Sequence, residues 1–326
     1  MLKDTHQRIH TYLRISLTDN CNLRCFYCMP EEEYAFMPQR RLMQADEILE
    51  LAKIFVAQGV NKIRLTGGEP LVRKDAAAII RSLGELGVEL TITTNGTRVH
   101  HFVDDLVAAG VRSVNVSLDT LQEDTFTILT RRNQFRVVKD NIRLLLDRGF
   151  TVKVNVVVVK GLNDREILDF IAWTENEPVH IRFIEFMPFD GNKWQSDKLV
   201  TWKEILEVAQ TQYEVQPLEN AAHDTCKKYR VEGHAGTFAV ISTMSAPFCS
   251  SCNRIRLTAD GKIKNCLFSE EETDLLQALR NGEDVLALIE KSILSKHKEL
   301  GGQFSKDFTT IDTSHLHNRS MIAIGG

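Results

Sequence analysis

The run Leu13-Arg14-Ile15-Ser16-Leu17 leads directly into TDNCNLRCFYCMP, Thr18 to Pro30, joining a short strand to a loop with Cys21, Cys25 and Cys28. The C-x3-C-x2-C spacing suits an iron-sulfur cubane in which three thiolates hold three irons and the fourth iron takes an outside ligand. A closed structural zinc site would need a fourth protein ligand, and zinc knuckles usually begin with C-x2-C or C-x4-C. A second triad, Cys249, Cys252 and Cys266, reads C-x2-C-x13-C and is again one ligand short. Alone it resembles a zinc ribbon lacking a cysteine, and two incomplete sites could also share zinc. Two open-iron clusters explain the repeated pattern more simply. Cys226 has no partner at ligand spacing and reads as a packing or surface residue.

Outward from this loop, β-branched runs recur at Leu13–Leu17, Lys62–Leu65, Leu90–Thr93, Ser113–Leu118, Val152–Val159 and His180–Ile184. Between them, Gln44–Gln58, Ala76–Leu86, Val103–Ala109, Val137–Asp147 and Asp164–Thr174 place apolar residues at helical spacing. Gly59, Gly87, Gly110 and Gly149 follow four of these helices, where C-caps belong. The period of about 30 residues is that of a βα unit. Six units are too few for a closed eight-unit barrel, so the fold class is α/β, either a partial barrel or a doubly wound sheet. Loops at the C-terminal ends of strands carry the chemistry in such folds, and the first cysteine loop follows the first strand. Residues 1–190 form this core, and residues 191–326 form a region of different character.

The 326 residues include 43% hydrophobic types, without an apolar run near the ~20 residues of a membrane span. No secretory signal is visible in MLKDTHQRIH, so the cysteine triads point to a reducing cytoplasmic setting and not to disulfides. The net charge of -4 argues against a broad nucleic-acid surface. Phosphate recognition must therefore be local.

Four cations interrupt the strands: Arg14, Arg64, Lys153 and Arg182. Alternate strand positions share a face, so these residues can look inward together, where buried cations need anionic partners. A polyphosphate would supply them, and arginine suits it by its bidentate geometry. The run LTGGEP, Leu65 to Pro70, follows the second strand, and its glycines let backbone approach a ligand while Glu69 can accept from an amine. Thr93, Asn95, Ser117 and Asp119 occupy similar strand ends, where polar residues ordinarily cap or turn the chain.

The cysteine triplet with Tyr27, together with GGEP, resembles the radical S-adenosylmethionine (SAM) superfamily, whose members use a partial (βα)6 TIM-type barrel. The second triad with its CNRIRL continuation, IRFIEFMP (Ile181–Pro188), VVVVKGLND (Val156–Asp164) and the final IGG are similar to the MoaA family of GTP 3′,8-cyclases of molybdenum cofactor biosynthesis. That resemblance, from about Leu13 to Gly326, implies the partial barrel closed by a C-terminal α+β region carrying a second [4Fe-4S] cluster. It assigns Cys21, Cys25 and Cys28 to a SAM-binding cluster, with Tyr27, Gly68, Ser117 and Met187 around SAM. Arg14, Lys62, Arg64, Thr93, Lys160 and Arg182 would line a GTP site, together with Arg254, Ile255 and Arg256. Cys249, Cys252 and Cys266 would hold the second cluster, whose open iron is implied to meet the guanine.

The implied lyase reaction joins ribose C3′ to guanine C8, giving (8S)-3′,8-cyclo-7,8-dihydroguanosine 5′-triphosphate. Removing an unactivated C–H hydrogen is beyond any protein acid or base, so a cofactor must do it. Arg254 and Arg256 would stabilise charge late in the reaction, and the terminal Gly325 and Gly326, otherwise read as a frayed tail, would thread into the barrel. The family also implies a homodimer, a one-electron reductant and passage of product to cyclic pyranopterin monophosphate synthase (MoaC). Competing readings are another two-cluster radical SAM enzyme, such as a peptide maturase, and a zinc-binding interaction module. Asn20 departs from the family by replacing a commonly basic residue, and Cys226 is extra.

In the C-terminal region, a stretch around Glu232–Gly236 is turn-rich and Leu275–Leu294 reads as a covering helix. Asp260-Gly261 fits a two-residue hairpin turn. Simple pairing across it sets Cys266 opposite Ile255, off the arginine face, unless a bulge intervenes. The pairs His100/His101 and His315/His317 lack cysteines at ligand spacing and read as surface or capping residues. The runs Glu31–Glu33 and Glu270–Glu272 read as solvated faces.

Overall fold

The computed structural model describes residues 1–30, 34–304, 307–313 and 316–325. Gly326, His315 and the run Glu31–Glu33 lie outside the described residues. Six strands follow the βα rhythm: β1 Tyr12–Ser16, β2 Lys62–Thr66, β3 Glu89–Thr94, β4 Ser113–Ser117, β5 Thr151–Val158 and β6 His180–Glu185. Each pairs in parallel with the next, so sequence order is also spatial order. The remaining strands are β7 Val215–Pro217, β8 Lys227–Val231, β9 Thr237–Ile241, β10 Arg254–Leu257, β11 Lys262–Lys264 and β12 Thr273–Asp274. They extend the same sheet at both edges. Strand β9 joins β6 in parallel and continues into the antiparallel β8 and β7, while β10 joins β1 in parallel and continues into β11 and β12.

The helices are α1 Ala45–Ala57, α2 Ala76–Gly84, α3 Val103–Ala108, α4 Glu123–Thr130, α5 Phe135–Asp147, α6 Ile167–Trp173, α7 Trp202–Gln210, α8 Leu275–Asn281, α9 Val285–Leu294 and α10 Met321–Ile324. In α1 a capping box between Gln44 and Glu47 starts the helix, and Ile48, Leu51, Ala52 and Phe55 form its buried stripe. Gly59, Gly87, Gly110 and Gly149 all take positive φ, as expected of helix C-caps. Helix α4 is unanticipated, because threonines dilute the stripe formed by Phe126, Leu129 and Thr130. The single covering helix expected at Leu275–Leu294 is two, divided where Gly282 turns left-handed and Asp284 caps α9 by accepting from Ala287 N at 3.1 Å.

Strand alternation sorts the sheet into two unlike faces. Leu13, Ile15, Ile63, Leu65, Ile92, Val114, Val154 and Phe183 belong to the buried apolar core that includes the helices. Their neighbours in sequence, Tyr12, Arg14, Lys62, Arg64, Asn115, Lys153 and Arg182, line a cavity instead.

The β10–β11 hairpin corrects the expected register. Arg256 pairs with Lys264 and Leu257 with Ile263, and Thr258 N donates to Lys262 O, leaving a three-residue loop, Ala259–Gly261. Gly261 sits at φ +71°, the left-handed position of a three-residue hairpin loop. The pairing is shifted by one residue from the expected register, and Cys266, just past the end of β11, lines the same cavity as Arg254 and Arg256. A side chain at Gly261 would collide with Leu276. Gly261→Val should therefore destabilise the protein by several kcal/mol, since overpacking costs on the order of 1–3 kcal/mol and left-handed backbone roughly 1–2 more. A urea midpoint unchanged from wild type would contradict this.

Candidate active site

One cavity of about 870 Å³ is lined by residues of eight adjacent parallel strands, β10, β1 to β6 and β9. All six triad cysteines line it, and strand direction puts the two triads at opposite ends. Cys21, Cys25 and Cys28 follow the C-terminal end of β1. Cys249 and Cys252 precede β10, whose Arg254 pairs with Tyr12 at the N-terminal end of β1. The cations lie between these ends.

At the first end, Asn95 Nδ2 donates to Cys21 Sγ at 3.6 Å and to Asn22 Oδ1 at 2.8 Å. Burial, then the Glu69 carboxylate, pushes Cys21 up to about 11. Cys25 and Cys28 are raised by burial, and further by the neighbouring thiols of their own triad and by Asp119. Gly67 and Gly68 line the same end. Gly68 has a structural reason as well, because a Cβ there would strike the backbone of Asp19 and Asn20 in the cysteine loop. Tyr27, Ser117 and Met187 also line the cavity. Tyr27 donates to Asp119 Oδ2 at 2.6 Å, and Val157 N donates to Asp119 Oδ1 at 2.8 Å. Burial raises Asp119 to about 6 despite these bonds.

Glu69 is fully buried and is not among the residues lining the cavity. Its buried carboxylate accepts from Leu71 N, Thr94 Oγ1 and Asn95 N at 3.0, 2.8 and 2.6 Å, locking the GGEP turn to the end of β3. Burial pushes it up to about 7, against those hydrogen bonds.

Mid-cavity, burial and then mutual repulsion shape the cations. Arg14 is depressed by burial and then by Arg256, Arg182 is brought to about 10 by burial and then Arg64, and Lys153 to about 8 by burial and then Arg182. Arg182 Nε donates to Asn155 Oδ1 at 3.0 Å, and Arg64 Nη1 donates to Ile92 O and Thr93 Oγ1 at 3.2 and 3.3 Å. Among the described residues no carboxylate lies at ion-pair distance from Arg64, Lys153, Arg182, Arg254 or Arg256. Such a field is strongly anion-seeking. Lys62 lines the cavity while paired with Glu89 at 2.7 Å.

Two of the anticipated residues fall outside. Lys160, beyond the end of β5, is over half exposed and lies 3.5 Å from Glu204, whereas Lys153 within β5 reaches the cavity. Ile255 alternates with Arg254 and Arg256, so its side chain is buried in the apolar core. Tyr12 and Lys153 were legible by the same alternation, standing two residues before Arg14 and on an equivalent strand. His180, on β6, also reaches the cavity, and Cys226 lines it near Arg182 instead of being a mere packing residue. Its loop has no periodicity that could have revealed this.

At the second end, Arg254 Nη2 donates to Cys252 Sγ at 3.4 Å, and the buried Lys296 Nζ donates to Arg254 O at 2.9 Å and to Cys252 Sγ at 3.8 Å. Burial would raise Cys252, but Arg254 and Lys296 outweigh it and bring the thiol to about 6, favouring the thiolate that metals bind. Leu300 N donates to Cys249 Sγ at 3.5 Å. Arg256, lowered to about 10 by burial and then Arg254, donates to Gly325 O at 2.5 Å. Gly325 itself lies toward the first end, seated by the C-terminal ends of β1 and β2, where a Cβ would lie 2.5 Å from Thr66 Oγ1 and 3.0 Å from Ser16 Cβ. Glu272 is no solvated residue, since with Asp260 it holds Arg319 and so fastens the tail to the hairpin. His100 and His101 lie against each other with their rings tilted by 46° and 3.9 Å between centroids, and neither lines the cavity.

Among the described residues no three Cys, His, Asp or Glu side chains converge as the ligands of one metal ion do. Each triad instead offers an all-thiol donor set beside an open cavity, a donor chemistry that fits iron-sulfur clusters. No helix of the described residues is long and apolar enough to cross a membrane.

Comparison with known proteins is consistent with this geometry. Residues 15–174 match the radical SAM superfamily and residues 179–301 the family Molybdenum Cofactor Synthesis C. The chain is 44% identical to molybdenum cofactor biosynthesis protein 1 of Bos taurus, across 99% of this chain and 51% of that one. It thus spans about half the length of several curated relatives it matches. It is 44% identical to a GTP 3′,8-cyclase, mitochondrial, of Arabidopsis thaliana, covering all of this chain and 84% of that protein. A GTP 3′,8-cyclase of Listeria monocytogenes is 41% identical, with 91% of each covered. The solved structure of Streptococcus suis SuiB bound to S-adenosylmethionine superimposes with a TM-score of 0.66 over 97% of this chain and 77% of that one, at 15% identity, which speaks for the fold alone. With full-length relatives above 40% identity and both regions matched, the chain belongs to the radical SAM superfamily and, within it, to the family of the GTP 3′,8-cyclases.

Proposed function

We propose that this chain is a radical SAM GTP 3′,8-cyclase, the lyase that opens molybdenum cofactor biosynthesis by converting GTP to (8S)-3′,8-cyclo-7,8-dihydroguanosine 5′-triphosphate. Membership of the superfamily implies an iron-sulfur cluster and SAM. The observation that carries the fuller reading is the pair of thiol triads facing one cationic cavity from opposite ends. In this reading residues 1–190 form a partial (βα)6 barrel, and residues 191–326 close it and hold a second [4Fe-4S] cluster.

Cys21, Cys25 and Cys28 would hold the first cluster, and Cys249, Cys252 and Cys266 the second. When bound, the reduced first cluster and SAM supply the radical that removes the C3′ hydrogen, after which C3′ joins guanine C8. The chain's own residues bind and orient. Tyr27, fixed by Asp119, and Gly68, Ser117 and Met187 surround SAM. Arg14, Lys62, Arg64, Thr93, Lys153 and Arg182 take the triphosphate, with Lys153 in place of Lys160. Arg254 and Arg256 keep positive charge beside the purine end, where an electron and a proton must finally arrive. Ile255 supports them from the core side. Gly325 brings the tail backbone to Arg256 at a point where a side chain has no room. A homodimer, a one-electron reductant, a cytoplasmic setting and transfer of product to MoaC complete the proposal.

Anaerobic purification should yield roughly eight irons per chain, and Cys252→Ala should lower this to about four while keeping the first cluster; zinc in place of iron would sink the assignment. With SAM, reductant and GTP, wild type should form 5′-deoxyadenosine together with the cyclised nucleotide. Arg254→Ala or Arg256→Ala should retain SAM cleavage but lose cyclisation, and an equal loss of 5′-deoxyadenosine would reject the late role. Deleting Gly325 and Gly326 should preserve iron content and abolish cyclisation, whereas full turnover would refute a role for the tail.

A further inference from the structure

Tyr12 stands among the cavity cations, yet nothing in the reaction described so far uses it. Its hydroxyl accepts a hydrogen bond from Arg64 Nε, and its ring packs under Lys62, with Nζ 5.4 Å from the centroid. Every strand packed around it presents a cation. Arg14 follows on β1; Lys62 and Arg64 stand on β2, with Glu89 of β3 paired to Lys62; and Arg254 and Arg256 stand on β10. Arg182 and Lys153 face it across the cavity, accompanied by His180 and the acidic candidates Cys226 and Asp224, the latter held by Lys228 at 2.6 Å. Gly326 lies outside the described residues.

We propose that Tyr12 is a positioning residue that acts as an exchangeable counter-anion for the phosphate site, aligning Arg64 before the triphosphate binds and taking up a proton when it does. This rests on the triphosphate reading of the cavity. The geometry favours such a group, because cations crowded along one cavity repel one another and a phenol can supply negative charge reversibly. Burial disfavours the phenolate, but Arg64, Arg14, Lys62 and the Arg64 hydrogen bond outweigh it and bring Tyr12 down to about 7. A bound phosphoanion adds negative charge beside the oxygen and so favours the neutral phenol, which takes its proton from solvent. The sign follows. Below about pH 7 the phenol is already protonated and binding exchanges no proton there, while above it binding must protonate Tyr12 and weakens as pH rises, by at most roughly tenfold per pH unit.

The test uses anaerobically purified, cluster-loaded protein and inorganic triphosphate, which lacks ultraviolet absorbance. Calorimetry at pH 8 in two buffers of different ionisation enthalpy measures protons exchanged on binding, and difference absorbance at 295 nm follows the phenolate. Protons released by the triphosphate itself are common to wild type and Tyr12→Phe and cancel between them. Wild type should take up a larger number of protons, by a substantial fraction of one per site, and lose phenolate absorbance. Tyr12→Phe keeps the ring and should show neither effect, with affinity that no longer falls from pH 7 to 9 through this group. Equal proton counts and equal pH profiles would overturn the role of Tyr12 while leaving the phosphate site intact. Failure of both cluster-loaded proteins to bind triphosphate at any pH would instead overturn the triphosphate reading, and this proposal with it.

Discussion

A row of cations on the cavity face of a parallel sheet sets the terms for the rest of the molecule. Leu13, Ile15, Ile63 and Leu65 hold one face against the helices, while Arg14, Arg64, Lys153 and Arg182 occupy the other. Parallel sheets ordinarily bury both faces in apolar packing. Here the second face cannot be covered that way, because guanidinium groups need anions or water. A cavity leaves them access to both.

Strand polarity then distributes the chemistry. Because β1 and β10 run parallel and pair Tyr12 with Arg254, a loop after β1 and a loop before β10 must open at opposite ends. The two thiol triads therefore look at each other along the cavity and not across it. Their electrostatics differ accordingly. Cys25 and Cys28 are raised by burial and by other thiols, whereas Cys252 is lowered by Arg254 and Lys296. Within the second triad Cys252 stands ready as thiolate even without metal while burial raises Cys249, and the first triad requires a metal's own charge to deprotonate it.

Much of this was readable along the chain. The six βα units, the helix C-caps and the inward cations follow from periods of 2 and 3.6, which are local properties. The same period exposes Ile255 as a core residue and Tyr12 as a cavity residue, once the face of Arg14 is known. Lys160 misleads because it lies past the end of β5, where alternation no longer governs direction. The three hydrogen bonds of Glu69 were hidden for a different reason. Its role depends on Thr94 and Asn95, which reach it only through sheet pairing.

By itself the sequence determined the alternating α/β core, the two incomplete thiol sets and the side of each strand on which charge would fall, since all three are set by spacing between near neighbours. Only the tertiary structure decided that the two triads share one cavity, that the later region extends both edges of the sheet, and that Cys266 reaches the arginine face. Those depend on strand order and on a three-residue loop at Ala259–Gly261. A one-residue change in a turn reverses the face of every residue beyond it, and the competing turns differ too little in local preference for the chain alone to choose between them.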